Sequence, residues 1–590
     1  MTAVERVRAA YAAIAEVDRP EIWIFLRPLA DALADAESVD VAVAAGADMP
    51  LAGLTAAVKN NVDVAGLPTT AGCPSYASTP AVTDAPVVTL LRAAGAVVIG
   101  ATNLDQFATG LVGTRSPHGA VRDARRPDRI SGGSSAGSAV AVALGLVDVA
   151  IGTDTAGSGR VPAALQGIVG IKPTYGVVST GGVVPACRSY DCVTVFARDL
   201  DTADAAMGVM AGPGARPFPP DAPLGAPERP VVAVPRDLPG LSQAWRTGFL
   251  RACDRLADRD VTLREIDLTP FLEAARLLYD GGLVAERYDA VGEFIDAHRG
   301  EVDSTVGEIV SAAGTVSAAT LLRDRRRLDE LTVMALAALD GCDALLLPTT
   351  TEHPGIADVA GDPIAVNSRL GTYTNFCNLM DLCAVAVPSG MAGDDQFGVS
   401  VIARSGADAV AMDVARLVTA PSDPVAAAGA VTLAGHSCGV PWPARAGIST
   451  TALLVVGAHL RGQPLAWQLT GRGARWAGPA LTAPLYRLTR LDTTPPKPGL
   501  MRVGPDDGVA IGGELWLVGT AMLGDFLAAL PDPMALGPVT LSEGTQVVGF
   551  TCALDAWRDG VDISRHGDWP TYLRHADSAV SDTPSAEARA

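Results

Sequence analysis

The chain has 590 residues, with 45 basic against 65 acidic side chains and a formal net charge of −20. That length is more than one hydrophobic core serves and calls for two or more domains, while 48% hydrophobic and 19% charged residues place it among globular proteins. The acidic balance argues against a nucleic-acid partner, which needs a basic surface to displace counterions.

In chain order, the opening MTAVERVRAAYAAIAEVDRPEIW mixes charges of both signs and lacks an uninterrupted apolar run, so no signal peptide is expected. Residues 3–16 read as an Ala-rich helix. Pro86 to Gly95 reads as a helix with Pro in its first turn and Gly at its end, leading into a short apolar strand from Ala96 to Gly100. SAVAVALGLVDVAIG repeats the pattern, a buried helix turning into a strand. Its apolar run, Ser138 to Ile151, is interrupted by Asp148 and too short to cross a bilayer, so no membrane partner is expected. Further strands are expected at Val231–Pro235 and Asp343–Pro348, and a long charged helix over 318–339 with RDRRR on its solvated face. Strand and helix alternating in this way predict an α/β fold. Residues 211–230, rich in Pro and Gly, read as a surface loop of the first domain, and 420–447 as a linker. After them TALLVVGAHL, AWQLTG, APLYRLTRL, ELWLVG and QVVGFTCAL read as short strands of a small β-rich domain, followed by a disordered tail. The nine cysteines lack CxxC spacing and the seven histidines lack HExxH spacing. The expectation is a reduced, cytoplasmic protein with no structural metal.

Chemistry concentrates in two Gly/Ser-rich segments, Ile130 to Ser138 and Gly152 to Gly159, with the buried-looking helix between them. Small residues flanking a core element mean that the backbone itself must approach something closely. They also free N–H groups to point at a developing oxyanion. The two segments, with Lys59 in Ala57-Val58-Lys59-Asn60-Asn61, resemble the signature of the amidase signature family. That resemblance implies a mixed β-sheet core covered by helices and a Ser–Ser–Lys triad. Ser158 would be the nucleophile, Ser134 the bridging serine after a cis Gly133–Ser134 bond, and Lys59 the base. The backbone N–H groups of Thr155, Ala156, Gly157 and Ser158 would form the oxyanion hole. Ser131, Ser135 and Ser138 receive no role. Ala156 departs from the Gly that many members carry and points to a subgroup. The chemistry is coherent on its own terms: a Ser hydroxyl needs an adjacent base, and burial can strip the proton from a Lys.

Within the family, Glu21 to Phe25, Gly100 to His118 and Leu277 to Val291 resemble allophanate hydrolases. In that subgroup a Tyr and an Arg eight residues apart hold the substrate, which implies Tyr279 and Arg287. Eight residues is just over two helical turns, so one helix face is expected to carry both. An Arg fork matches the carboxylate of a small anionic substrate. The C-terminal stretch resembles that subgroup's γ-glutamyl-cyclotransferase-like barrel through Val455 to Gly462 and Glu543 to Gly549, and implies an anion pocket holding His459 and Arg461; the resemblance allows the domain either a second step, decarboxylating N-carboxycarbamate, or a mainly structural role. The boundaries expected are an amidase signature domain over 1–440, a C-terminal domain over 448–575 and a tail over 576–590. The resemblance further implies a reaction that needs no cofactor or metal, a homodimer, and allophanate supplied by a urea carboxylase or by degradation of s-triazines; no biotin-attachment segment is seen, so such a carboxylase is expected on a separate chain. Other readings are a general amidase of the same family, a catalytically dead scaffold, and a subunit of an amidotransferase.

Overall fold

The computed structural model describes residues 1–212, 216–419 and 440–581. Most of the linker expected over 420–447 and the last part of the expected tail, 582–590, lie outside the described residues. A helix, Trp569–Ser581, occupies the positions where that tail was expected to begin.

The first unit takes Met1–Pro217, Arg229–His436 and Arg445–Gly447. Its centre is an eleven-stranded mixed sheet. In chain order the strands are β1 (Trp23–Leu26), β2 (Thr55–Lys59), β3 (Val97–Thr102), β4 (Val149–Asp154), β5 (Val169–Lys172), β6 (Cys192–Ala197), β7 (Val231–Pro235), β8 (Thr262–Ile266), β9 (Ala344–Pro348), β10 (Cys383–Ala392) and β11 (Asp395–Ala403). They lie in the order β1-β3-β2-β4-β6-β5-β10-β11-β9-β7-β8. β2 runs parallel to both β3 and β4, whereas β4, β6, β5, β10, β11 and β9 pair antiparallel in turn.

Sequence pattern explains these choices. β2, β3 and β4 are buried along their whole length, as expected of parallel strands covered on both faces. The helices Ala3–Val17, Pro86–Ala93, Ala136–Ala143 and Ala318–Ala338 stand where the periodicity put them. Ala136–Ala143 consists of Ala, Gly, Ser and Val only, and Ala136 to Val142 are all buried. Its small side chains let it sit among strands, in a core with Val7, Ile22, Val97, Ile99, Leu146 and Phe196.

The second unit takes Phe218–Glu228, Ser437–Ala444 and Ile448–Ala590. A five-stranded sheet and a three-stranded sheet enclose one core that includes Leu453, Leu454, Leu488, Leu500, Trp516, Val539 and Phe550. Two expectations are corrected here. Within 211–230, Phe218–Glu228 belongs to this unit: Ala222 and Leu224 bury themselves against Ile448, and Leu224 N donates to Gly473 O at 2.7 Å. AWQLTG contributes a short helix, Trp467–Thr470, in place of a strand. Leu469 and Thr470 turn inward while Trp467 stays exposed, and Gly471 and Gly473 close the turn.

Candidate active site

Because β2 and β4 are parallel neighbours, their C-terminal ends lie side by side, where ligands gather in open α/β sheets. β2 ends on Lys59 and β4 on Thr153 and Asp154. The Gly132–Ser135 segment enters the helix Ala136–Ala143 beside them, tied down by Ser135 Oγ, which donates to Thr153 O at 3.1 Å, and by Ser138 Oγ, which donates to Ile151 O at 2.8 Å. Three segments far apart in sequence thus meet.

Lys59 is fully buried. Its Nζ lies 2.7 Å from Ser134 Oγ and 2.7 Å from Thr153 Oγ1. Burial, opposed in part by the charges of Asp105, Asp154 and Asp191, brings its pKa down from 10.5 to about 7. A neutral amine keeps a lone pair that can accept the Ser134 proton. The Gly133–Ser134 peptide bond is cis. Ser158 is 3% exposed, and its hydroxyl makes no hydrogen bond among the described residues.

The turn carrying Ser158 is built on a buried ion pair. Asp154 accepts Gly157 N at 2.8 Å and Gly159 N at 3.0 Å, and both its oxygens receive the Arg160 fork at 2.9 Å. Burial works to raise the Asp154 pKa, and Arg160 outweighs it and holds the carboxyl below its usual range. Arg160 continues to Thr374 O and Asn378 Oδ1. Gly157 adopts φ +128°, and a Cβ there would run into the Thr374 side chain. Of the four amides expected to face an oxyanion, that of Gly157 is therefore engaged by Asp154. Those of Thr155, Ala156 and Ser158 have no hydrogen bond among the described residues. The Thr155 hydroxyl donates to Asp191 at 2.5 Å, which also accepts Ala186 N and Cys187 N.

Tyr279 and Arg287 come together, though not on one helix face. The helix Thr269–Arg276 ends before Tyr279, and Arg287 sits at the start of the next, Ala285–Ala297. Gly281 and Gly282 make the turn between them, where a Cβ on Gly282 would come within 2.9 Å of the Leu321 backbone. Arg287 Nη2 donates to Tyr279 OH at 2.8 Å, with its guanidinium carbon 5.1 Å from the ring centroid. Arg287 Nη1 donates to Thr109 Oγ1 at 2.8 Å, and its Nε is buried without a partner. Arg287 is 1% exposed and forms no ion pair among the described residues. Its neighbour Glu286 pairs instead with Arg325 at 3.1 Å.

In the second unit His459 lines a small pocket with Gly457, Lys497, Pro498, Met534 and Phe550. It stacks on Phe550 at 4.7 Å, and its Nε2 lies 2.9 Å from Gln468 Oε1. Burial lowers its pKa. Arg461, expected in this pocket, lies over Trp476 instead; the cation that lines the pocket is Lys497. Sequence reasoning passed over Lys497, Thr153, Asp191 and Thr109. Thr153 and Thr109 carried a signal, since they lie inside the Gly152–Gly159 and Gly100–His118 stretches.

Comparison with known proteins agrees with this geometry. The Amidase family profile matches residues 5–412, and that of the allophanate hydrolase C-terminal domain matches 451–574. The structure of Kluyveromyces lactis allophanate hydrolase superposes with a TM-score of 0.87 at 37% identity, covering 98% of this chain and 97% of that one. Urea amidolyase of Lachancea kluyveri is 39% identical over 546 residues, 89% of this chain and 30% of that protein. This chain thus spans about three-tenths of the length of the curated urea amidolyases it matches. A glutamyl-tRNA(Gln) amidotransferase subunit of Symbiobacterium thermophilum is 34% identical over 459 residues, 70% of this chain and 92% of that protein. Since the family profile matches residues 5–412, well over half of the chain, the chain belongs to the amidase family and is an amidohydrolase.

Proposed function

We propose that the chain hydrolyses allophanate, urea carrying a carboxylate on one nitrogen, through an acyl-enzyme on Ser158. The observation that carries this reading is Arg287, a buried cation with no ion pair among the described residues and N–H donors left unclaimed. A buried charge without a counter-charge is costly, and a planar carboxylate supplies both the charge and the bidentate acceptor. The allophanate hydrolase C-terminal match over 451–574 supports the same substrate class.

Ser158 Oγ attacks the terminal carbonyl and its proton passes through Ser134 to neutral Lys59. The oxyanion forms against the free amides of the Thr155–Ser158 turn. Collapse breaks the C–N bond, with the proton returned to the departing ammonia. Water, deprotonated by the same relay, then releases N-carboxycarbamate and regenerates Ser158. That product loses carbon dioxide and yields a second ammonia. His459, with Lys497 beside it, assists this later step in the C-terminal unit. The reading includes a homodimer, allophanate supplied by a urea carboxylase, and a cytoplasmic location. The last is supported by eight described cysteines, all buried and unpaired, and by the lack of any single helix among the described residues long and apolar enough to cross a membrane.

The test is ammonia release from allophanate, urea, biuret and a neutral amide. Ser158→Ala is expected to abolish all activity. Arg287→Ala is expected to cripple allophanate hydrolysis, by about a hundredfold or more in kcat/KM, and to spare the neutral amide. Equal losses on both substrates would overturn the substrate assignment and leave a general amidase.

A further inference from the structure

The reaction at Ser158 leaves unused the loop from Asp105 to Arg115, although it lies against the site. Two consecutive residues in it, Phe107 at φ +50° and Ala108 at φ +53°, are left-handed. That conformation is uncommon for residues with a Cβ and persists only where the surroundings enforce it.

Enforcement is visible on every side. The buried Asp105 carboxylate accepts the amides of Val112 at 3.2 Å, Gly113 at 3.0 Å and Arg115 at 3.0 Å. Asn367 Oδ1 accepts the Leu111 amide at 2.8 Å. Arg115, itself 3% exposed, donates to Thr109 O at 2.9 Å and Pro363 O at 2.6 Å. Phe107 N donates to Ala71 O at 2.9 Å, and the Phe107 ring meets Tyr76 edge-on at 5.3 Å.

What this rigid loop presents is Thr109, 1% exposed. Its hydroxyl donates to Phe107 O at 3.2 Å, which turns its lone pairs toward Arg287 Nη1, 2.8 Å away. Tyr279 holds the other terminal nitrogen. A guanidinium fixed at both terminal nitrogens cannot rotate about its long axis, so its remaining donors keep one direction.

We propose that Thr109 is a positioning residue that orients Arg287 toward the carboxylate of the substrate, and that the strained loop Asp105–Arg115 exists to hold it there. This rests on the allophanate reading. The hydroxyl is the working part: Ser would supply it, and Val would keep the shape without it.

The experiment compares Thr109→Val and Thr109→Ser in the full chain. Kinetics are measured on allophanate and a neutral amide, and malonate binding by calorimetry. Thr109→Val is expected to raise the allophanate KM about ten- to a hundredfold, the loss of one hydrogen bond to a charged group. Its kcat, and its kinetics on the neutral amide, are expected to stay near those of the wild type. Thr109→Ser should restore KM. In an Arg287→Ala background Thr109→Val should cost nothing further, since the two act as one unit. Parallel losses on both substrates, or no rescue by Ser, would overturn the proposal and leave Thr109 a scaffold residue. Should the wild type not turn over allophanate, the functional reading falls by itself. Malonate binding then decides for Thr109: weakening by Val with recovery in Ser supports the proposal, and binding that is absent from the wild type or unchanged in Val overturns it.

Discussion

Lys59 is the residue on which the site turns, and its environment makes a prediction in pH. On the proposed reading the neutral amine is the active form, and burial brings its pKa down to about 7. Activity limited by Lys59 should therefore rise with pH through about 7 and level off above it, as an acid limb in kcat/KM. The same shift acts on stability. In the unfolded chain Lys59 keeps its proton up to about 10.5, whereas in the folded chain it gives it up near 7. Between these values the unfolded state binds more protons, so stability rises with pH across that window. Lys59→Met lacks this dependence. Its melting temperature should exceed that of the wild type most near pH 7, and the gap should narrow toward pH 9. A constant gap would mean that Lys59 is charged in the folded protein. The Gly/Ser-rich segments around a buried helix drew attention to this region, and the resemblance to the amidase signature family singled out Lys59, Ser134 and Ser158 within it. Asp105, Asp154 and Asp191, which oppose the shift of Lys59, were not singled out. Nothing in local sequence says which acids will face a lysine across a sheet.

At the scale of elements, the turn between β4 and the short helix Val161–Gln166 would, on the proposed reading, set the geometry of attack. Asp154 and Arg160 hold it from both ends, and Gly157 is the position that admits no side chain. Gly157→Ala demands φ near +128° from a residue with a Cβ and pushes that Cβ into Thr374. The strain alone is about 1–3 kcal/mol. The expected outcome is a lower melting temperature together with a loss of about a hundredfold in kcat from a displaced oxyanion turn. Restoration of kcat on trimming Thr374 to Ala in the same chain would attribute the loss to that collision. Failure of the trim, with the turn intact by crystallography, would place it elsewhere. Helices and strands of the first unit were legible because parallel strands and their crossovers leave long apolar runs. The Tyr279–Arg287 pair was implied by the resemblance, and its spacing was misread as one helix face. The Gly281–Gly282 turn, set by close approach to Leu321, brings the two together across a break. Trp467–Thr470 was misread for a related reason. A short apolar run carries no period, and only the fold decides between strand and helical turn.

For the whole molecule, two units raise the question of which performs which step. On the proposed reading Arg287 gives the first unit a place for an anion, and in the second unit His459 and Lys497 line one pocket. Burial keeps His459 toward its neutral form, leaving Lys497, 9% exposed and without an ion pair among the described residues, as the local positive charge. The pocket has a volume of about 10 Å³, room for little more than one water, so on the proposed reading its walls move apart to admit the carboxylated intermediate, the cation then holding the carboxylate and the imidazole moving a proton. The sequence pointed to His459 through its resemblance but not to Lys497, which stands 38 residues later on the strand Lys497–Arg502 and meets His459 only in the fold. If the second unit acts on the intermediate, His459→Ala and Lys497→Met in the full chain should leave release of the first ammonia at the wild-type rate. The second ammonia and the carbon dioxide should then lag behind it. The measurement is ammonia per allophanate against time at alkaline pH, where carbamates persist. The wild type should show one phase worth two ammonia, and each variant a fast phase worth one followed by a slow phase. A single phase in both variants would return the whole hydrolysis to the site around Ser158 and leave the second unit without a chemical step.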